Sequence, residues 1–484
     1  MEDAVQKNAE RTVLISGKQY ITYGQLNRAA NTIAGLIKRS GIGKGDKVAL
    51  MLPNIPEFFY SYFGAIKTGA IVVPLNTSST PFELTYLLNN SDSQILITQE
   101  SQIKKYQDIQ DKIFPCHQVI SIDSLNQNGE LLTGADGKDS PSAEINPEDP
   151  AVIIYTAGLT GKAMGAVLTH HNLCSQLDMI QPVFRRTPDD IGLSLIPLFH
   201  SFGATVNMLN VIQAGCSTVM IDRLTMDGLF SAIEREKITY IAAVPRLYIG
   251  MIFYEKAFKY NLSSLKLCVT GGSAMPPDLI PVFEQKLGVR ILEGYGLTEA
   301  SPACSFNRLE CVAKPGSIGT PLTGIDIKIV DDEGCELPRN EVGELIVKGN
   351  NVMKGYYKNE AATAAVIKDG WLHTGDLGRR DEENYLFLTG LKKRMIITSG
   401  FNVYPREVEM VLKMHPAIQA SHVSGEKDLM RGETVKAHIV LKKGHSADEK
   451  EIIRYCKTYL SNYKVPREIE FVKEISDSTD IASE

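Results

Sequence analysis

The residues best suited to chemistry fall in a few short segments. One is a loop of glycines and hydroxyls, Tyr155-Thr-Ala-Gly-Leu-Thr-Gly-Lys-Ala-Met-Gly165, which follows an apolar strand and precedes a helix expected from about Thr169. Glycines 158, 161 and 165 let backbone N–H groups approach a polyanion, and Thr156 and Thr160 add hydroxyl donors. The spacing does not match GxxxxGK[ST], and an ordinary strand–helix loop is the plainer reading. Gly271-Gly272-Ser273 ends a second strand with little bulk, which suits a flat ring lying on backbone or a tight turn. In Glu293-Gly-Tyr-Gly-Leu-Thr-Glu299, Tyr295 offers a stacking face and Thr298 a hydroxyl for a phosphate oxygen. Glu299 is a hard oxygen ligand of the kind Mg²⁺ takes when phosphates supply the rest, although a solvated carboxylate is the commoner case. Asp376, in a Thr-Gly-Asp expected between strands, either accepts two hydroxyl hydrogen bonds or closes a turn. His200 beside Phe199 is a packed core histidine or a pocket residue.

These residues must be held by alternating strands and helices. Apolar runs at 46–54, 71–76, 93–98, 151–156, 191–198, 217–221, 238–244, 265–272 and 289–296 read as strands, and 55–70 has helical spacing. Short strands separated by helices predict parallel sheets with helices on their faces. From about 323 the texture changes to strands joined by Gly and Asp turns, suggesting an antiparallel sheet or small barrel. After about 394 a short pattern of helix 406–415, strand 435–444, helix 448–460 and strand 469–475 follows. The predicted fold is α/β: a large N-terminal domain, 1–390, of two parallel-sheet αβ sublobes plus a small β-barrel-like subdomain. A small mobile α+β C-terminal domain, 391–484, follows it.

Composition sets the class. The 484 residues suggest two to four domains at roughly 100–200 residues each. Hydrophobic residues at 43% and charged residues at 22% exclude a disordered or fibrous chain. A net charge of −6 argues against a nucleic-acid coat but leaves a small anionic ligand open. The eight cysteines form no CxxC pair, which points to reduced, partly buried thiols. The N-terminus lacks a basic segment followed by an apolar run, and no stretch reaches about 18 apolar residues, so neither a secretory signal nor a membrane span is expected. A cytoplasmic enzyme or binding protein is the expectation.

Six segments besides the glycine loop stand in one order: "TYGQLN" (22–27), "PLFHSFG" (197–203), "VTGGSAMP" (269–276), "GYGLTE" (294–299), "GWLHTGDLG" (370–378) and "SGFNVYPREVE" (399–409). With the loop, this order resembles the AMP-forming acyl-adenylate superfamily, which includes acyl-CoA synthetases, aryl-CoA ligases, luciferases and peptide-synthetase adenylation domains. The resemblance covers nearly the whole chain. It implies a ligase that activates a carboxylate with MgATP to acyl-AMP and passes the acyl group to CoA. It implies ATP or AMP and Mg²⁺ as ligands, with CoA as co-substrate. By the same resemblance Tyr295 stacks on adenine, Asp376 holds the ribose, Glu299 holds Mg²⁺, and Thr298 contacts phosphate. Thr156, Gly158, Thr160, Gly161, Gly272, Ser273, Ala274, Glu293, Gly294 and Gly296 complete the nucleotide site. His200 borders the acyl pocket and gates CoA, Lys393 is the hinge, 399–405 lines the thiol tunnel, and Trp371 is a packing residue. The expected partners are small molecules, with no nucleic acid; a homodimer is compatible with the reading.

The chain also departs from that pattern. The family has Ser, Thr and Lys where this chain has Ala157, Leu159 and Met164; its Pro is Ala163, and its ribose-contacting Arg is Leu391. Its adenylating Lys falls at or within a residue or two of Ala482, and no Lys follows Lys473. Losing one preorganised charge donor typically costs about 10²–10³ in rate. The expectation is therefore a carboxylate–CoA ligase with weakened adenylation. The alternative is a non-catalytic regulatory homologue that binds acyl-AMP, AMP or acyl-CoA.

Overall fold

The computed structural model describes all residues except 126–129, 134–141, 157–162, 222, 312–313, 392–394 and 476–484. Gly158, Thr160, Gly161 and Lys393, together with the departures Ala157, Leu159 and Ala482, lie outside the described residues.

Two large sheets carry the N-terminal part. One has seven strands in the order Gly355–Tyr356, Met164–Thr169, Pro150–Thr156, Ile71–Pro74, Lys47–Met51, Ser93–Thr98 and Gln118–Ser121. The other has nine, with a parallel centre of Ile291–Gly296, Leu267–Thr270, Tyr240–Ala243, Ile191–Ser194, Ser217–Met220 and Thr12–Ser16. Antiparallel edge strands flank both parallel centres. The helices Tyr23–Arg39 and Pro56–Lys67 pack between the sheets in the largest core. They approach so closely that a Cβ on Gly64 would lie 2.7 Å from Ile33. A five-stranded antiparallel sheet over 325–391 follows, and a second five-stranded sheet over 396–471 closes the chain. The last sheet has its own apolar core, from Ile396 to Val465, beneath helices Pro405–Lys413 and Glu449–Tyr459. The boundary expected at 390–391 falls at the end of strand Leu386–Leu391.

Three local expectations need correction. Strand Met164–Thr169 stands between the glycine loop and helix His170–Phe184, so the loop joins two antiparallel strands rather than a strand and a helix. Gly165 therefore sits in a buried strand, where its missing Cβ makes room for Ile153 at 2.6 Å, and is not a phosphate-approach position. Asp376 lies within strand Trp371–Arg380, not between strands. The long strand Ile418–Asp428 was not anticipated, because only Ile418 and Val423 along it are fully buried and the rest reads as polar. Its pairing with Gly432–Leu441 fixes it instead. All eight cysteines are unpaired thiols, five of them buried. Trp371 is half-buried, with the Lys328 and Lys348 ammonium groups 5.1 and 5.7 Å from its ring. No helix among the described residues is long and apolar enough to cross a membrane.

Helix His170–Phe184 is set by a reciprocal cap. The Asn172 amide donates to Thr169 Oγ1 at 3.1 Å, while the Thr169 amide donates to Asn172 Oδ1 at 2.8 Å. Thr169→Ala should lower stability by about 1–2 kcal/mol, read as a lower urea midpoint with an unchanged slope.

Candidate active site

The C-terminal edges of the parallel strands meet the two smaller sheets around one cavity of about 550 Å³. Its size is in the range of a nucleotide or cofactor pocket, about 300–1,000 Å³. Thr156, His200, Gly272, Ser273, Ala274, Glu293, Gly294, Tyr295, Gly296, Thr298, Glu299 and Asp376 all line it. The structure thus brings together every sequence-predicted site residue that it describes.

Glu299 joins three distant parts of the chain. It sits in the short turn Thr298–Ala300 after strand Ile291–Gly296. Its Oε1 accepts from Thr156 Oγ1 at 3.2 Å and from Tyr356 Oη at 2.8 Å. Thr156 is the last residue of its strand, so this bond ties the start of the glycine loop to the carboxylate. The neighbouring Thr298 Oγ1 shares a hydrogen bond of 3.0 Å with Ser201 Oγ.

The Tyr295 hydroxyl donates to Asp376 Oδ2. Burial pushes the Asp376 carboxyl up to about 6; the Tyr295 hydrogen bond opposes this, while the charges of Glu299 and Glu344 add to it. Burial likewise holds the Tyr295 phenol in its protonated, donating form. Register places residue 391, the leucine that replaces the family's arginine, directly opposite Asp376. Glu293 accepts from the Met275 amide at 2.9 Å through one oxygen, while its other oxygen is buried without a partner. Burial pushes this carboxyl to about 7.

His200 caps the short helix Ser201–Ala204, its Nδ1 accepting from the Phe202 amide at 3.2 Å. Burial lowers it to about 4, so the imidazole is neutral and carries its proton on Nε2. It borders the cavity as a neutral donor, not as a cation.

The carboxylates Glu299 and Asp376 converge where their charges disfavour each other, which suits a cation. Among the described residues no three His, Cys, Asp or Glu side chains form a metal cage. A Mg²⁺ held by one carboxylate, hydroxyls, water and a polyphosphate fits that donor set. The backbone slot of Gly271 and Gly272 and the unpartnered Glu293 oxygen fit a flat nitrogenous ring that has N–H donors.

Tyr356 and Ser201 were not singled out from the sequence, and Tyr404 was expected only as one of the tunnel-lining residues 399–405. Tyr356 reaches Glu299 only because the two-residue strand Gly355–Tyr356 pairs with Ala166 and Val167, which no local spacing announces. Tyr404 comes from the C-terminal part, and its phenol is held protonated by burial and by the charges of Glu299 and Asp376.

Met395, Ile397, Gly400, Asn402 and Tyr404 line the same cavity, so the C-terminal part closes over it. Gly400, at φ +82°, lies where a Cβ would be 2.6 Å from Val244. Phe401 stacks between Phe199 (6.5 Å) and Tyr463 (4.6 Å). Behind the stack, the buried Lys464 ammonium donates to Glu83 Oε1 at 2.8 Å and to Glu407 Oε1 at 2.6 Å. Ser461 Oγ donates to the second Glu83 oxygen at 2.6 Å. Burial opposes ionisation of Glu83, yet Lys464 outweighs it and holds that carboxyl below its usual range; burial wins at Glu407 and raises it.

The AMP-binding enzyme family matches residues 1–357, and the AMP-binding enzyme C-terminal domain matches residues 407–479. The chain belongs to the AMP-binding enzyme family. It is an enzyme of the AMP-forming acyl-CoA synthetase superfamily. A long-chain-fatty-acid–CoA ligase of Bacillus subtilis (strain 168) is 36% identical over 508 residues, covering 98% of this chain and 90% of that protein. A double mutant of o-succinylbenzoate CoA synthetase from Bacillus subtilis, bound with its product analogue, superposes with a TM-score of 0.87 at 30% identity, covering 98% and 95% of the two chains. The same synthetase in complex with its acyl-adenylate intermediate gives 0.74, again at 30% identity, covering 98% and 94%. This AMP-binding enzyme is therefore arranged more like the first of those two structures than the second.

Two measurements follow from the buried groups. Folding favours the protonated form of Glu293, so ionisation costs stability as pH rises from the unfolded carboxyl range through about 7. Glu293→Gln should gain on the native protein between pH 4.5 and 8, by on the order of 3 kcal/mol, with little difference below pH 4; parallel thermal melts read this. Lys464→Ala leaves Glu83 and Glu407 facing each other unpaired and should cost about 3–5 kcal/mol. Limited proteolysis should then release the C-terminal part far faster.

Proposed function

We propose that this enzyme is a carboxylate–CoA ligase whose thioester-forming half-reaction is better preserved than its adenylation. The observation that carries the reading is the single cavity shared by Thr156, Tyr295, Thr298, Glu299 and Asp376 from the large part and Gly400 and Tyr404 from the small one. In the first half-reaction a carboxylate oxygen attacks the α-phosphorus of ATP. The bond to the β-phosphate breaks, leaving acyl-AMP and pyrophosphate. In the second, the CoA sulfur attacks the acyl carbonyl and AMP leaves. Tyr295, Gly272, Ser273, Ala274, Glu293, Gly294 and Gly296 would seat the adenine, and Asp376 the ribose. Thr156, Thr298 and the loop residues Gly158, Thr160 and Gly161 would hold phosphates. Mg²⁺ bound at Glu299 would neutralise triphosphate charge.

His200, neutral at physiological pH, would position the acyl carbonyl at the mouth of the thiol path rather than act as a base. The hinge would be Lys393, and the C-terminal part would swing about it between the two half-reactions. Support for the closed arrangement as the thioester-forming one comes from the higher TM-score with the product-analogue complex.

The case for weak adenylation rests on side chains. Met164, where the family has Lys, is a buried residue on the cavity wall, its sulfur accepting from Asn359 Nδ2 at 3.9 Å. No charge is available there for the pyrophosphate. Ala157 and Leu159 stand where the family has two hydroxyls, and the family's second lysine falls at or within a residue or two of Ala482.

The test is production of acyl-CoA and AMP from a panel of carboxylates with MgATP and CoA. Slow but definite acyl-CoA formation is expected, falling a further 10²–10³-fold or so in Glu299→Gln. Acyl-CoA no higher in the native protein than in that variant, with AMP or acyl-CoA still binding in calorimetry, would replace the ligase by the regulatory homologue.

A further inference from the structure

The cavity has a polar side, at Glu299 and Asp376, and an apolar one built from Ile180, Phe202, Val206, Ala303 and Phe306. Phe306 lies opposite Gly294 in the antiparallel pair of strands Ile291–Gly296 and Ala303–Phe306. Its ring covers the Gly294 α-carbon so closely that a Cβ there would be 2.2 Å from the ring. Glycine at 294 is therefore what lets the aromatic ring lie across the sheet. The ring is also held from behind. Phe184 meets it edge-on at 5.3 Å and 81°, and Tyr240 lies 5.5 Å beyond Phe184. The Arg186 guanidinium caps the column 3.7 Å over Tyr240 and is itself buried. Phe306 and Phe184 are 3% and 4% exposed, so the column behind the cavity is packed away from water, with Phe306 as its cavity-facing member.

We infer that Phe306 is the end wall of the acyl compartment, and that it restricts this enzyme to short and medium-length apolar carboxylates. This rests on the proposed ligase reading and adds the substrate class to it. An acyl chain running from His200 across Gly271 would stop where the Phe306 ring lies over Gly294. The Arg186-braced column behind gives that stop its rigidity. A longer chain would have to displace a packed aromatic ring. Gly271, just past strand Leu267–Thr270, leaves the approach as bare backbone, and Phe306 over Gly294 closes it, so the length limit comes from this one side chain.

Calorimetry with non-hydrolysable acyl-adenylate analogues, from butanoyl to hexadecanoyl, tests the wall without requiring turnover, and AMP alone serves as the reference ligand. Native protein should bind analogues up to about the octanoyl member at least tenfold more tightly than the hexadecanoyl one. Phe306→Ala should reverse that order, and Phe306→Leu, which removes less volume and keeps the core filled, should shift the optimum part-way. Binding of AMP together with an unchanged chain-length profile in either folded variant would overturn the inference. A native preference for hexadecanoyl would do the same. Failure of native protein to bind AMP itself would instead bring down the ligand-site reading, and the inference with it.

Discussion

A lysine ammonium placed between two carboxylates, away from water, holds the C-terminal part against the large one. Lys464 belongs to the C-terminal part, Glu83 to helix Pro81–Ser91 of the large part, and Glu407 to helix Pro405–Lys413. Such a triad gains little net stability over an apolar contact, but it is expensive to break once formed. That makes it suited to fixing one relative position of two bodies. Glu83 is doubly committed, since it also accepts from the Thr80 amide in the cap of its own helix. The Tyr459 carbonyl accepts from Thr80 Oγ1 and the Tyr459 ring meets Phe82 edge-on, so the latch sits in a small polar and aromatic interface. With it engaged, Phe401 wedges beside Phe199 and Gly400 presses on Val244. The cavity then receives its C-terminal wall.

Inside the cavity, organisation falls to one carboxylate. Glu299 gathers a hydroxyl from the end of the glycine-loop strand and another from the Gly355–Tyr356 strand. Three segments far apart in sequence are thereby held at one oxygen. Asp376 and Tyr295 form the second polar pair, kept apart from solvent so that the carboxyl is partly protonated near neutral pH. A cation or ribose hydroxyls at this place would relieve the crowding of negative charge. The site is preorganised for a ligand that brings such groups, at a cost in the stability of the empty protein.

Much of this was legible in the chain. Strands such as Ser93–Thr98 and Ile291–Gly296 are short apolar runs with clear breaks, and the parallel order follows from their alternation with helices. The residues Thr156, Tyr295, Thr298, Glu299 and Asp376 were identified by motif order and do share one cavity. What escaped depends on pairing across distance. Tyr356 has no local signature, Ile418–Asp428 is a strand by virtue of its partner, and Gly165 looked like a phosphate glycine although it makes room for Ile153. Lys464 and Glu83 are 381 positions apart, and nothing in either neighbourhood marks them as a pair.

Met164 is buried on the cavity wall, while His200 and Gly400 line the same cavity and Phe401 stacks on Phe199 where the C-terminal part closes it. Preorganised charge matters most where charge moves, at the phosphoryl step, and least where a reactive mixed anhydride is already in place. The decisive measurement is a single-turnover comparison with one carboxylate. Conversion of pre-formed acyl-AMP and CoA to acyl-CoA is timed against formation of acyl-AMP from the acid and MgATP. The account predicts that the thioester step is the faster by at least tenfold and slows in Lys464→Ala. Equal rates, or a faster adenylation step, would contradict it.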